Sequence, residues 1–335
     1  MKLKTELLFE DKHSDEKKIL DKAKYIHKIA EKINSKDMDA ILWVQSCAMK
    51  AVHDFMHSKK VLQLMPVMIS TITDPLCHSV YDAKIDYCGQ ELSLTKSMIL
   101  HKQMALMSPI RKAIYIISPN IRLEKEECRD SGRHLIEFSQ VDFEFKDAKK
   151  EDIKDFMEDM IIHVITRVKD ECKEELKALG RVGDKELVVP SKPFKRISTK
   201  DAEARFGKDY EKILSEEASE PFWLTDHERE FYDKECEFTK RVYRNYDLIY
   251  PEGFGEGLSG GEREHEYEVI LERMKRAGTS KESYKEYLEL AKYGLLPKTA
   301  GGGFGVERMV RFLCGKKDIA DVSLFAKKPG EIVVF

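Results

Sequence analysis

The chain has 335 residues, 36% of them charged and 42% hydrophobic, with a formal net charge of −3; this excludes a disordered polymer and a global basic field for nucleic acid, and allows one large domain or two ordinary ones around a sizeable core. Seven cysteines, none in a C-x-x-C spacing, argue against a disulfide framework and a structural zinc site. No apolar signal core opens the chain and no stretch reaches membrane-spanning length, so a soluble, reducing, cytoplasmic setting with no membrane contact is expected.

In chain order, Ile19, Ala23, Ile26, Ala30 and Ile33, then Val44, Ala48, Val52 and Phe55, recur at helical spacing. They predict an N-terminal helical pair over 14–34 and 40–58. VLQLMPVMIS (61–70) reads as a short extended segment, with Pro66 unsuited to a central ladder position. KAIYIIS (112–118) and RHLIEFSQVDFEF (133–145) predict an antiparallel pair joined by a long charged loop. Ile153, Phe156, Met157, Met160, Ile161, Val164, Ile165 and Val168 then mark a long helix over about 147–179 that stops at Gly180. Residues 181–220 are charged and weakly patterned, and are read as an irregular insertion. Strand and glycine turns mix in 243–267, a helix opens near Glu262, and another spans about 281–293. Strands without regular βαβ alternation suggest an α+β fold with an antiparallel sheet.

Three segments carry candidate chemistry. On the strand 133–145, His134, Ile136, Phe138, Gln140, Asp142 and Glu144 share one face, while Leu135, Val141, Phe143 and Phe145 share the other. The second face is core. The first is either a solvated face or a ligand wall, and Phe138 suits stacking on a flat ligand better than it suits water. Upstream, Arg122 and Glu124 share a face if extended, and with Arg133 and His134 make a cationic cluster around that ring, fit for a polyphosphate with a base attached. In TAGGGFGVER (299–308) the glycines would let backbone lie against a ligand, with Arg308 off the apolar helix face that follows. No Lys-Ser/Thr follows them, so this is no Walker loop; a packing corner is the plainer alternative. In GEGLSGGERE, Glu256 and Ser259 could share a Mg²⁺ that also binds phosphates, or cap a helix.

Together these segments resemble the catalytic core of class II aminoacyl-tRNA synthetases, of the aspartyl/asparaginyl subgroup. VLQLMPVMIS resembles motif 1, NIRLE with RHLIEFSQVDFEF motif 2, and GGGFGVER motif 3. The similarity covers about 61–145 and 221–335, so residues 61–335 are expected to be the catalytic domain, an antiparallel sheet flanked by helices, behind a helical extension over 1–60. The resemblance implies that Arg122 holds the α-phosphate of ATP, Glu124 and Phe138 the adenine, and Arg133 and His134 the folded-back polyphosphate. Arg308 would meet the γ-phosphate, with Gly303 and Gly305 under the nucleotide. Asp247, Glu256 and Ser259 resemble the metal-binding trio for Mg²⁺. SMILHKQ (97–103) resembles the aspartyl signature and brings Ser97 and Lys102 to the substrate. Lys102 and Arg263 would meet its carboxylate, and Gln140 and Asp142 would face the amino acid. Ile99 stands where the family usually has Gln.

Only 60 residues precede motif 1, and they read as helices. That leaves no room for the β-barrel anticodon module of the subgroup's tRNA ligases, so no anticodon recognition is expected. PVMISTITDPL, LTKSMILHKQ, SPNIRLE, PFWL with EREFYDKE, and SGGERE resemble the freestanding archaeal-type asparagine synthetases related to aspartyl-tRNA synthetase. The implied activity is an AMP-forming ligation of aspartate and ammonia through an aspartyl-adenylate. A truncated aspartyl-tRNA ligase, a ligase serving another amine, and an inactive nucleotide-binding paralogue are the alternatives. Motif 1 implies a homodimer.

Overall fold

The computed structural model describes residues 22–76 and 78–334. Eight strands form the central sheet: β1 (Leu62–Leu64), β2 (Ala113–Ile121), β3 (Glu137–Lys146), β4 (Lys195–Ser198), β5 (Phe222–Thr225), β6 (Asn245–Tyr250), β7 (Gly255–Glu262) and β8 (Thr299–Gly305). Their order in space is β1-β2-β3-β8-β7-β6-β5-β4. The inner strands pair antiparallel, and the edge strands β1 and β4 pair parallel with their neighbours. The fold is therefore α+β, on a mostly antiparallel sheet.

Five helices concern the core or the site: α1 (Lys36–Ser58), α2 (Ile99–Ala105), α3 (Lys150–Glu171), α4 (Tyr210–Glu217) and α5 (Val306–Cys314). The apolar stripes of α1, α3 and α5 meet Val141 and Phe143 of β3, Leu258 of β7 and Phe304 of β8 in the main core. That is the face the 133–145 parity assigned to the interior. A second cluster joins Ile99 and Leu100 of α2 to Ile270, Tyr287 and Leu288 of the helices Tyr267–Ala277 and Lys285–Lys292. No described helix is long and apolar enough to cross a membrane.

Five expectations about the fold change, four of them in detail. The N-terminal helices run over 22–33 and Lys36–Ser58, residues 14–21 lying outside the described ones. Residue 60 is no packing boundary, because Met38, Val44, Ala48, Val52 and Met56 of α1 belong to the main core. The 181–220 insertion is ordered: it carries β4, the helix Thr199–Phe206 and α4, which cover Phe222, Leu224 and Ile249. The segment around Glu262 is strand, and the helix opens at Tyr267. Charge and weak periodicity hid these short elements, since each buries only a few side chains.

The largest change concerns 299–305. It is neither loop nor corner but β8, a central strand paired on both sides. Its glycines answer close approach. A Cβ on Gly301 would meet the Phe143 carbonyl oxygen at 2.2 Å and Glu144 Oε2 at 2.3 Å, and one on Gly303 would meet Gln140 Nε2 at 2.5 Å. A Cβ on Gly305 would meet only the Arg308 side chain, at 3.5 Å. Gly301→Ala should therefore lower unfolding stability by about 2–3 kcal/mol, while Gly305→Ala costs less than about 1 kcal/mol at this helix-capping position. Urea denaturation of the two variants checks this; equal midpoints would refute the account.

Candidate active site

The sheet face opposite the main core forms the floor of a cleft of about 340 Å³. β3 supplies Phe138, Gln140 and Asp142, β8 supplies Gly303 and Gly305, and β7 supplies Glu256 and Ser259. Glu256 and Ser259 are three apart and would lie on opposite faces of a regular strand. The β6–β7 register shifts between Leu248 and Ile249, pairing Leu248 with Leu258 but Ile249 with Glu256. The extra residue, Gly257, is a β-bulge that brings both side chains to the cleft.

At one end lie the groups predicted for nucleotide. Arg122 follows β2, donates through Nε to the Lys96 carbonyl at 2.9 Å, and holds its guanidinium 5.1 Å from the centre of the Phe138 ring. The face of that ring is thus shared with a cation in the protein itself. Glu124 is 5% exposed and His78 Nε2 is 3.1 Å from both its oxygens. Burial raises its carboxyl, but the His78 contact and the nearby His134 and Arg122 outweigh this and hold it below the usual range. Arg308 on α5 donates to Glu256, 3.2 Å from both its carboxylate and its carbonyl. Arg133 donates to Glu211 of α4 at 2.9 Å, and Glu211 also accepts from the Glu256 backbone N–H at 3.2 Å. Burial pushes Glu256 up, yet Arg308 and Arg133 dominate and keep it ionised well below the usual range. His134 lies 2.7 Å from Ser131 Oγ, and burial, then Arg308, hold its imidazole down at about 4.

At the other end lie the groups predicted for the amino acid. α2 aims Lys102 at the cleft floor: Ser97 Oγ accepts from the Ile99 N–H at 3.1 Å, and Gln103 is held by Tyr287, Glu264 and Pro297. Lys102 Nζ donates to Asp142 Oδ1 at 2.8 Å and to the Gly302 carbonyl at 2.6 Å. Arg263 donates to Glu144 at 3.1 Å and to the Gly301 carbonyl at 2.9 Å, and also pairs with Asp233. Thr299 Oγ1 donates to Glu144 at 2.7 Å. These five charged residues are at most 3% exposed. Both cations therefore already carry protein carboxylates.

Of the residues predicted from sequence, Ser97, Lys102, Arg122, Glu124, Arg133, His134, Phe138, Gln140, Asp142, Glu256, Ser259, Arg263, Gly303, Gly305 and Arg308 all line this one cleft, and Asp247 does not. Asp247 sits opposite Ser259 in the β6–β7 register, but Arg229 holds both its oxygens at 2.6 and 2.8 Å, with His227 at 3.2 Å. In this structure it anchors Arg229, a cleft residue, and does not join Glu256 and Ser259. Sequence reasoning missed Asp74, Arg229, Glu230 and Asp233, which line the amino-acid end, and Glu211. It also missed Glu307, whose carboxylate accepts from the Ser139 N–H at 2.9 and 3.0 Å and whose burial raises it to about 7. The density of charge in EREFYDKE was the available signal for Arg229, Glu230 and Asp233; Glu307 was adjacent to a chosen residue; Glu211 gave none.

Residues 21–329 match the family of tRNA synthetases class II (D, K and N). The aspartate–tRNA(Asp/Asn) ligase of Methanopyrus kandleri is 31% identical over 315 residues, which is 88% of this chain and 69% of that protein. The asparagine–tRNA ligase of Herpetosiphon aurantiacus is 27% identical over 88% of this chain and 71% of that one. Among solved structures, asparaginyl-tRNA synthetase from Pyrococcus horikoshii complexed with asparaginyl-adenylate superposes with a TM-score of 0.82 at 25% identity, covering 90% of this chain and 71% of that one.

The low His134 value has a testable sign. Between about 6.5 and about 4 the unfolded chain binds this proton and the folded one does not, so His134 contributes a loss of stability as pH falls through that window. A polyphosphate beside His134 would favour the imidazolium. The NMR titration midpoint of His134 should lie near pH 4 in the free protein and move up when Mg²⁺–ATP is added. An unmoved midpoint at saturating ATP would remove His134 from the phosphate site.

Proposed function

This chain belongs to the class II tRNA synthetases of the D, K and N group, and we propose that within that family it activates aspartate with ATP to an aspartyl-adenylate. One observation carries the reading. A single cleft joins a cationic, ring-bearing end (Arg122, Phe138, Arg133, Arg308) to an end where two buried cations, Lys102 and Arg263, stand beside carboxylates. The first suits a nucleoside triphosphate, and the second suits the carboxylate of a small amino acid, with the aspartyl-like SMILHKQ segment (97–103) favouring aspartate.

The chemistry follows from this placement. A substrate carboxylate oxygen attacks the α-phosphorus, the bond to the β-phosphate oxygen breaks, and pyrophosphate leaves. Arg122 would stabilise charge developing on the α-phosphate, and Arg308 and Arg133 charge on the leaving group. An ionised Glu256 beside Ser259 fits a Mg²⁺ site, and a bound Mg²⁺ would neutralise phosphate charge there. The acceptor then attacks the acyl carbon and AMP leaves. No covalent enzyme intermediate is needed.

For the acceptor, the names of the relatives favour tRNA, which makes the chain an aspartyl-tRNA ligase. The residue pattern favours ammonia, which makes it an AMP-forming asparagine synthetase. Ammonia requires activation of the β-carboxylate, so aspartate would bind with its α-carboxylate at Lys102 and Arg263. The hydrophobic Ile99, 7% exposed in the cleft wall, fits a substrate whose ammonium is not at that wall. We also propose a homodimer through the 61–70 segment, where Leu62, Met65, Met68 and Ile69 are exposed.

The pure protein with ATP, Mg²⁺, aspartate and ammonium should yield AMP and asparagine in equal amounts. Replacing ammonium by hydroxylamine should trap the β-hydroxamate of aspartate. The α-hydroxamate, or aspartyl-tRNA formed from added tRNA, would establish the tRNA ligase instead, and no aspartate-dependent AMP would end the ligase reading. Arg122→Ala should slow aspartate-dependent ATP–pyrophosphate exchange by about 10²–10³-fold. Light scattering should give twice the chain mass of 38.9 kDa, and a monomeric mass would reject the dimer.

A further inference from the structure

One atom on the cleft floor stands apart. Asp142 is 1% exposed, and its Oδ1 is held by Lys102 at 2.8 Å. Its Oδ2 is buried and has no hydrogen-bond partner among the described residues, although the residue lines the cleft. An ionised oxygen left in this way is costly unless a donor arrives, and a charged donor suits it best. Phe138, beside Arg122, lies two same-face positions along β3 from Asp142, about 13 Å away. A base stacked at Phe138 therefore cannot serve Oδ2.

The charges around Asp142 say what kind of donor fits. Lys102 and Arg263 stand against three buried carboxylates, Asp142, Glu144 and Asp233. A bare carboxylate entering here would add a fourth anion in a place where charge is poorly solvated. An α-amino-acid head brings an ammonium together with its carboxylate and leaves the balance unchanged. We infer that the unpartnered oxygen of Asp142 binds the α-ammonium of aspartate, so that the α-carboxylate falls on Lys102 and Arg263. The side-chain carboxylate then points toward Gln140 and Arg122, one same-face pitch of about 6.6 Å nearer the nucleotide end. Asp142 is thereby a specificity residue that reads the amino group and selects the carboxylate to be activated. This rests on the proposed activation of aspartate, and on its β-carboxylate being the one activated, as ammonia ligation requires.

Succinate is aspartate without the amino group. Calorimetric titration of each dicarboxylate, with Mg²⁺ and α,β-methylene-ATP present, reads the ammonium contact without any turnover. Wild type should bind aspartate about 10- to 100-fold more tightly than succinate, the span expected for a hydrogen bond to a charged group. Asp142→Asn keeps an oxygen for Lys102 and should reduce that ratio to about 3-fold or less, by weakening aspartate while succinate, meeting one anion fewer, binds no worse. An undiminished ratio in the variant overturns the assignment. So does a wild type that does not distinguish the two ligands, whether or not the variant folds. Selective aspartate binding lost in Asp142→Asn, in a protein that forms neither AMP nor asparagine, would leave the Asp142 assignment standing while the ligase reading falls.

Discussion

The cleft depends on four buried charges tied to one bare strand, β8. Lys102, Asp142, Glu144 and Arg263 are each nearly or fully inaccessible to water. Taking such groups out of water is expensive, and mutual attraction offsets the cost best where further hydrogen bonds also reach the buried charges. Here the carbonyls of Gly301 and Gly302 and the hydroxyl of Thr299 supply the missing partners. They can do so because β8 carries no side chain over them: a Cβ on Gly301 would lie 2.3 Å from Glu144 Oε2, and one on Gly303 2.8 Å from Asp142 Oδ1. The glycine run is thus a condition of the ion-pair lattice, and the lattice is what leaves one oxygen of Asp142 open.

The two ends of the cleft are poised with opposite charge. Arg122, Arg133 and Arg308 crowd the Phe138 end closely enough that Arg308 and Arg133 help depress the proton affinity of His134 and all three help hold Glu256 ionised. Like charges gathered in this way repel, and a polyphosphate relieves them. α4 restrains the arrangement by placing Glu211 on Arg133 and on the backbone of Glu256. A segment outside the family motifs therefore touches Arg133 and Glu256 from outside the sheet. The end around Lys102 and Arg263 is the reverse, with the carboxylates of Asp142, Glu144 and Asp233 in excess of cations, and a zwitterionic head would disturb that balance less than an anion would.

Much of this was legible in the sequence because alternation in a strand is a strong constraint. The 133–145 parity correctly sorted Val141 and Phe143 into the core and Phe138, Gln140 and Asp142 onto the cleft. The same parity could not say whether the polar face met water or a ligand; fully buried Glu144 shows how far from solvent it lies. The glycines at 301–303 were misleading in isolation, since glycine is a poor strand former and only neighbouring strands explain its use here. Ion-pair partners were beyond reach. Asp247 with Arg229, Arg263 with Asp233 and Arg133 with Glu211 are made by topology and not by spacing along the chain.

Asp247 shows why residue type and face do not fix a role. It stands directly across from Ser259, where a carboxylate would complete a metal trio with Glu256. Its two oxygens are instead bound by Arg229, with His227 close by, and a carboxylate so neutralised has little left for a cation. Arg229 in turn lines the cleft beside Glu230 and Asp233. The bulge at Gly257 brings Glu256 and Ser259 together with no help from Asp247. Were a Mg²⁺ to bind at this cleft, Glu256 and Ser259 of β7 would be the residues to hold it, next to Arg308 and Arg133. Asp247 acts one step back, fixing the guanidinium of Arg229 at the cleft.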